Sequence, residues 1–396
     1  MAVVPGFSIG RAPRPPSLAS LVGTSGPFNL PAYPEDEPFD MLKIDDTHFI
    51  KSRPGAHSRA FLYTVNNDYS ITEEDIADTG PGNHLRNQAG VYLGSSNLYV
   101  SIHPIAGTVS PFYDGIHLAT YPVNTSTWVI DDSSPISDTE YLTSTLSTYD
   151  VSIRAVALDD NRVAVAFRLH SEGYIKVYNI DSSGNVTNAS PILNYSSGIN
   201  HVADIVQLGT DHFAVADNVG IRVFYTNPAS THAVSLVDTH SPASYYSEPS
   251  AKASLMVNPQ DTDELILSQK GLNSPYNGEL YIYSFDGSFN IQSEVFSNTN
   301  YKSVYTTSDM AEIGTNKFAL VGDFETSNRD AWMSVWSLQD DPVEVTLEFE
   351  ETMYDVSTEA VSERWIGHCQ AMQLDTNHLI VGYRVLQDWY FKVYQV

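Results

Sequence analysis

One phrase recurs along the chain: "IDDTHFIK" from Ile44, "LGSSNLYV" from Leu93, "LDDNRVAV" from Leu158, "LGTDHFAV" from Leu208, "DTDELILS" from Asp261, "IGTNKFAL" from Ile313 and "LDTNHLIV" from Leu374. The first and last copies start 330 residues apart across six intervals, a mean period of 55. A repeat of this length is too long for most helical solenoids, so it restricts the chain to arrays of larger units.

Each copy follows a short apolar stretch with small residues, such as "VADIVQL" or "HCQAMQL". Each precedes, after a variable loop, a second apolar run with an aromatic near its end. Tyr63, Tyr121, Tyr178, Phe224, Tyr283, Trp336 and Tyr394 occupy that position in the seven copies. A turn rich in Asn, Asp, Gly or Pro and a fourth run usually complete the unit, as in "NIDSSGNV" and "SFDGSFNI". Four short runs dominated by Val, Ile, Tyr, Phe and Trp predict a four-stranded antiparallel sheet. The second runs lack clean alternation, which predicts cover on both faces by neighbouring sheets. Asp and Asn bond to nearby backbone in tight turns, so "LDTN" and "LGTD" are read as inner-hairpin turns. His48, His212 and His378 then open second strands, as turn-edge residues rather than metal ligands.

With seven such units the chain resembles the seven-bladed β-propeller class, over residues 39–396. The Gly-Gly pair of kelch repeats, the Trp-Asp dipeptide of WD repeats and the Asp-box of sialidases are missing. The resemblance therefore implies an all-β fold and transfers no active site. The last copy ends in its third strand, and propellers commonly complete such a blade from the opposite terminus. Part of residues 17–38, with "SLASLVG" as the candidate, is expected to pair outside "FKVYQV". Residues 1–38, with eight prolines, read as an extended arm, partly closing the last blade and partly available to other protein subunits.

Function is less visible. A formal charge of −28 argues against a nucleic-acid partner. No signal peptide and no apolar run long enough to span a membrane are present, so membrane insertion is not expected and the chain reads as soluble. The single Cys369 reads as a small buried hydrophobe. Catalytic signatures of elbow, zincin, phosphate-loop and calcium-loop types are absent. The turns "DDNR", "DTDE" and "FDGSFN" could hold calcium loosely; no other cofactor and no metal site is expected.

Turn acids such as Asp45, Asp159, Asp211, Asp261 and Asp375 are expected to make one face negative. The opposite rim gathers Lys51, Arg53, Arg59, Arg168, Lys270, Arg329 and Arg384, with Tyr276 and Trp389 as stacking platforms. That rim is the candidate binding surface for a surface glycan. Low lysine, abundant Ser, Thr, Asn and Tyr and a proline-rich arm resemble a bacteriophage virion component, such as a tail-tip, baseplate or receptor-binding subunit. The expectation is a non-enzymatic structural or binding propeller, located in the virion if the protein is viral. Alternatives are a polysaccharide-acting hydrolase or lyase and a protein-interaction scaffold. Inner-strand positions look mostly apolar, with Lys43, Arg154, Gln207, Glu312 and Gln373 as exceptions and no carboxylate pair, so no catalytic residue is assigned.

Overall fold

The computed structural model describes residues 19–29, 40–53, 58–79, 88–105, 114–142, 152–169, 171–199, 201–228, 233–242, 253–270, 277–303, 306–314, 316–323, 331–340, 343–354, 366–385 and 388–396. Among these there is no helix, and hence none long and apolar enough to cross a membrane.

The strands fall into seven antiparallel blades. Strand β1 (Ser20–Asn29) stands apart from its neighbours in sequence. Blade 1 is β2 (Met41–Lys43), β3 (His48–Arg53), β4 (Arg59–Val65) and β5 (Ile71–Asp78). Blade 2 is β6 (Ala89–Leu93), β7 (Leu98–Ile105) and β8 (Asp114–Asn124), with β9 (Val129–Ile130) and β10 (Ile136–Leu142) both on β8. Blade 3 is β11 (Ser152–Ala157), β12 (Arg162–Leu169) and β13 (Glu172–Ile180), with β14 (Val186–Ala189) and β15 (Leu193–Ser197) both on β13. Blade 4 is β16 (Val202–Gln207), β17 (His212–Asp217), β18 (Ile221–Thr226) and β19 (Val234–His240). Blade 5 is β20 (Ala253–Val257), β21 (Glu264–Lys270), β22 (Asn277–Phe285) and β23 (Ile291–Ser303). Blade 6 is β24 (Thr306–Glu312), β25 (Lys317–Asp323), β26 (Ala331–Asp340) and β27 (Val343–Tyr354). Blade 7 is β28 (Ile366–Asp375), β29 (His378–Val385), β30 (Asp388–Gln395) and, outermost, β1.

The innermost strands touch in cyclic order, β2 to β6, β11, β16, β20, β24, β28 and back to β2, so the ring closes. Closure comes from the N-terminal arm, as expected, although the pairing strand is Ser20–Asn29, displaced toward the C-terminus from Ser17–Gly23. The displacement has a packing cause: Val22 and Phe28 insert into the aromatic cluster between blades 7 and 1. Phe28 lies edge-on to Tyr63 at 5.3 Å and to Phe391 at 5.7 Å.

The second strands have both faces covered, and every residue of β12 is buried. The seven repeat aromatics are all buried, and each pairs with the residue at the same position of its second strand, from Phe49↔Tyr63 to Leu379↔Tyr394. In blades 1, 4, 5, 6 and 7 the outer strand bulges by one residue beside that aromatic, at Glu74, Val237, Val295, Glu348 and Val22. A bulge there adds twist where a bulky side chain wedges neighbouring blades apart.

The inner-hairpin turns of blades 1, 3, 5 and 7 are Asx turns, as their Asp residues predict. Asp45 accepts the N–H groups of Thr47 (2.7 Å) and His48 (2.8 Å), and Asp159 those of Asn161 and Arg162, both at 2.8 Å. The fifth copy differs. Asn258, not Asp261, occupies the position of Ile44, because the Asn258 N–H bonds to the Glu264 carbonyl as Ile44 does to His48. The blade 5 turn is therefore two residues longer than that of blade 1.

Candidate functional site: a polar ring in the central channel

The strand register defines a ring of seven equivalent inner-strand positions: Asp40, Ala89, Arg154, Asp204, Ser254, Asp309 and Gln370. Each lies across from the same position of its second strand: Ser52, Ile102, Ala166, Ala216, Ser268, Val321 and Gly382. An innermost strand has a free edge whose N–H groups need partners. The ring acids supply them to the next blade. Asp40 accepts the Gly90 N–H at 2.8 Å, Asp204 that of Leu255 at 2.7 Å, and Asp309 that of Ala371 at 3.0 Å. Arg154 reaches forward in the same sense, its Nε donating to the Ala203 carbonyl at 2.9 Å. Bulges at Ala203 and Ser308 immediately precede Asp204 and Asp309 and re-aim these two side chains.

Asp40, Asp204 and Asp309 belong to blades that are not neighbours, yet Asp309 feels the charge of the other two and Asp40 that of Arg154, so these groups meet across the axis. Each acid keeps partial access through the channel, with protein packed around its other sides. Burial pushes the Asp204 carboxyl up to about 6, against the Leu255 N–H, the Arg154 charge, the Ile205 N–H and the Ser254 hydroxyl, which all favour ionisation. Burial also raises Asp309 well above the usual carboxylate range, with repulsion from Asp204 and Asp40 in the same direction. Asp40 is raised by burial too, although Arg154, the Gly90 N–H, Gln370 and Ser52 oppose it. Arg154 also donates from Nη1 to the Ile153 carbonyl at 2.9 Å, and its Nη2 has no partner among the described residues. The result is a set of acids that titrate above their ordinary range, facing one guanidinium across a confined channel. Such a set can exchange protons with a bound molecule and stabilise an oxyanion.

Five of the nine residues of the basic rim expected from sequence have described side chains, and three of these are buried. Lys51 is fully buried, with Nζ 3.4 Å above the Trp389 ring, and Trp389 is 3% exposed, so it offers no platform to a ligand. Arg168 is 8% exposed. Lys51 and Trp389 pack between blades 1 and 7, which the strand period alone cannot distinguish from pointing to solvent. Arg59 pairs with Asp78 at 2.9 Å, and Arg384 is half-buried at the end of β29. Arg53 and Lys270 end β3 and β21 with side chains outside the described set, and Tyr276 and Arg329 lie outside the described residues. The carboxylates of the suggested calcium turns hold their own backbone: Asp261 accepts the Asp263 N–H, and Asp286 those of Ser288 and Asn290.

The sequence marks Arg154 only as one of five polar exceptions on inner strands, and the three ring acids were missed. Their signal is present: Asp40, Asp204 and Asp309 lie four residues before Ile44, Leu208 and Ile313, the first residues of their repeat phrases.

No family model matches the chain, and no curated protein matches it. Solved structures that resemble it are β-propellers, and their likeness defines the architecture. They include the Pseudomonas aeruginosa periplasmic gluconolactonase PpgL, 11% identical with a TM-score of 0.56, over 80% of this chain and 85% of that one. A candidate 6-phosphogluconolactonase from Bacteroides fragilis is 10% identical with a TM-score of 0.53, over 90% and 92%. The WD40 propeller domain of Doa1 is 11% identical with a TM-score of 0.53, over 95% and 96%. At such identity the likeness carries the fold alone. The expectation of a non-enzymatic chain is corrected at the level of the fold: two of these three structures are described as lactonases, so the architecture does not argue against an enzyme. That expectation rested on the lack of converging carboxylates, which the channel ring supplies. Nothing in these likenesses supports a virion component.

Proposed function

We propose that the protein is a hydrolase of carbohydrate-derived esters or lactones, working in the central channel. The observation that carries this reading is the placement of Asp204, titrating at about 6, in one ring with Arg154 and two further acids of raised pKa. Ionised Asp204 takes a proton from water as the water oxygen bonds to the ester carbonyl carbon. The Arg154 guanidinium stabilises the resulting oxyanion. Collapse of the tetrahedral intermediate breaks the C–O bond, and the leaving alkoxide takes its proton from a protonated ring acid. Ser254, Gln370 and the acids match the hydroxyl groups of a polyol.

Three acids against one arginine, in a chain of charge −28, repel a phosphorylated substrate. Hydrolysis of a neutral aldonolactone is expected above its spontaneous rate, with its 6-phosphate a poorer substrate. Asp204→Asn and Arg154→Gln should each lower kcat/KM by about 100-fold, while Arg59→Ala leaves it unchanged. A neutral lactone decaying at the same rate with and without protein, or full activity in Asp204→Asn, would sink the reading.

A further inference from the structure

The closing strand is built as a separable ligand. Among the described residues β1 pairs with β30 alone, and as the outermost strand it can leave without breaking any other pairing. It reproduces what a resident outer strand does. Its bulge at Val22 falls beside Tyr394, as the β5 bulge does beside Tyr63. Two apolar anchors, Val22 and Phe28, fill the cluster formed by Phe49, Tyr63, Trp389 and Phe391.

The bond from β1 to the following blade is nevertheless weaker than its counterparts. In blades 1 and 4, Asp75 and Asp238 accept the N–H of Ile130 and Ile291 in the next blade, at 2.7 and 2.8 Å. The equivalent N–H, on Ile71, is met from β1 by the neutral Ser25 hydroxyl at 2.7 Å. The strand register places Gly23 where the other blades carry those aspartates, and any Cβ there would collide with the Tyr69 carbonyl and side chain. A carboxylate accepts such a bond roughly twice as strongly as a hydroxyl. Leu21 also remains 45% exposed, so part of the strand's apolar surface contributes little to holding it.

We propose that the edge of blade 7 is a strand-binding site whose second occupant is the β1 segment of another copy of this chain, so that copies exchange closing strands. The incoming strand brings the same Val22 and Phe28 anchors and the same Ser25 bond, and the swapped contact equals the intramolecular one. Exchange therefore trades identical contacts, opposed only by the effective concentration of the tethered strand, which is about millimolar for short links.

The test uses cross-strand cysteines. Ser20 faces Gln395, both exposed, and Thr24 faces Lys392. The full chain carrying Ser20→Cys is mixed at about 0.5 mM, close to that effective concentration, with the full chain carrying Gln395→Cys, under oxidised glutathione. The strand-exchange reading predicts a disulfide-linked heterodimer, with peptide mapping locating the bond between the two introduced thiols. The double variant in one chain, which closes its own bond, proves the geometry; Thr24→Cys with Lys392→Cys replaces the pair if it does not. A double variant that closes while the mixed single variants stay unlinked overturns the proposal.

Discussion

At the residue scale, the unusual positions are those where a side chain works between blades. Tyr69, Trp128 and Phe289 have φ of 62°, 54° and 60°, a conformation that costs a bulky residue about 1 kcal/mol or more. Each sits in a third-to-fourth-strand turn and meets a histidine of the preceding blade's inner hairpin. Trp128 stacks on His48 with centroids 3.3 Å apart, Phe289 on His212 at 4.0 Å, and Tyr69 lies tilted on His378 at 4.6 Å. The histidines read from sequence as turn-edge residues are thus inter-blade contacts. Trp128→Ala keeps the strained backbone and loses the stack, whereas Trp128→Gly loses the stack alone. The alanine variant should be the less stable by about 1 kcal/mol in urea unfolding, and equal stabilities would remove the strain argument. Asp204 is the second such position. Its unfolded carboxyl titrates near 3.8 and its folded one at about 6, so the folded state holds more protons between these values. The associated stability is complete below the lower value and is lost as pH rises through the upper one. Asp204→Asn should therefore shrink the stability difference between pH 5 and pH 8 by about 1 kcal/mol, allowing for screening by channel water, as read from denaturation midpoints.

At the element scale, the blades share a device on their third and fourth strands. A buried aromatic on the third strand stands beside an outer-strand bulge in five blades, including the blade closed by β1. Blades 2 and 3 differ, their outer edges split between β9 and β10 and between β14 and β15. Outer strands present free edges to solvent, and several carry acids there: Glu73, Glu74, Asp75 and Asp78 on β5, and Glu344, Glu348, Glu350 and Glu351 on β27. Charge along an edge opposes strand addition by other chains. Strand β1 carries no charged residue at all. Removing residues 1–29 exposes the β30 edge and empties the Phe28 site. The melting temperature should drop by roughly 5–10 °C in calorimetry, and a shortened chain melting with the full one would contradict closure by β1.

At the scale of the whole molecule, seven blades place three inner-strand acids and one arginine within electrostatic reach, although they come from repeats up to 269 residues apart, as Asp40 and Asp309 are. Among the described residues, many acids lie on turns and outer strands, in a chain of charge −28. Self-repulsion at that charge destabilises the closed ring in dilute salt. Raising ionic strength from about 0.01 to 0.15 M, which shortens the screening length from about 30 to 8 Å, should raise the melting temperature. A flat response would place the acids too far apart to interact.

Blade number, the inner-hairpin turns, the buried aromatics and closure from the arm were legible in the sequence because they rest on local chemistry repeated seven times. Turn geometry needs only the Asp of "LDTN", and a strand needs only its own β-branched and aromatic residues. The channel ring was not legible as a site, because the two-residue period of a strand places Asp204 on a face without saying what lies across the axis. Lys51 and Trp389 show the same limit from the other side: a cation and an aromatic near loop ends resembled a surface rim, and packing of blade 7 against blade 1 buried both. Tertiary structure alone decided which polar residues meet, because long-range electrostatics and desolvation depend on distances that a repeat period does not contain.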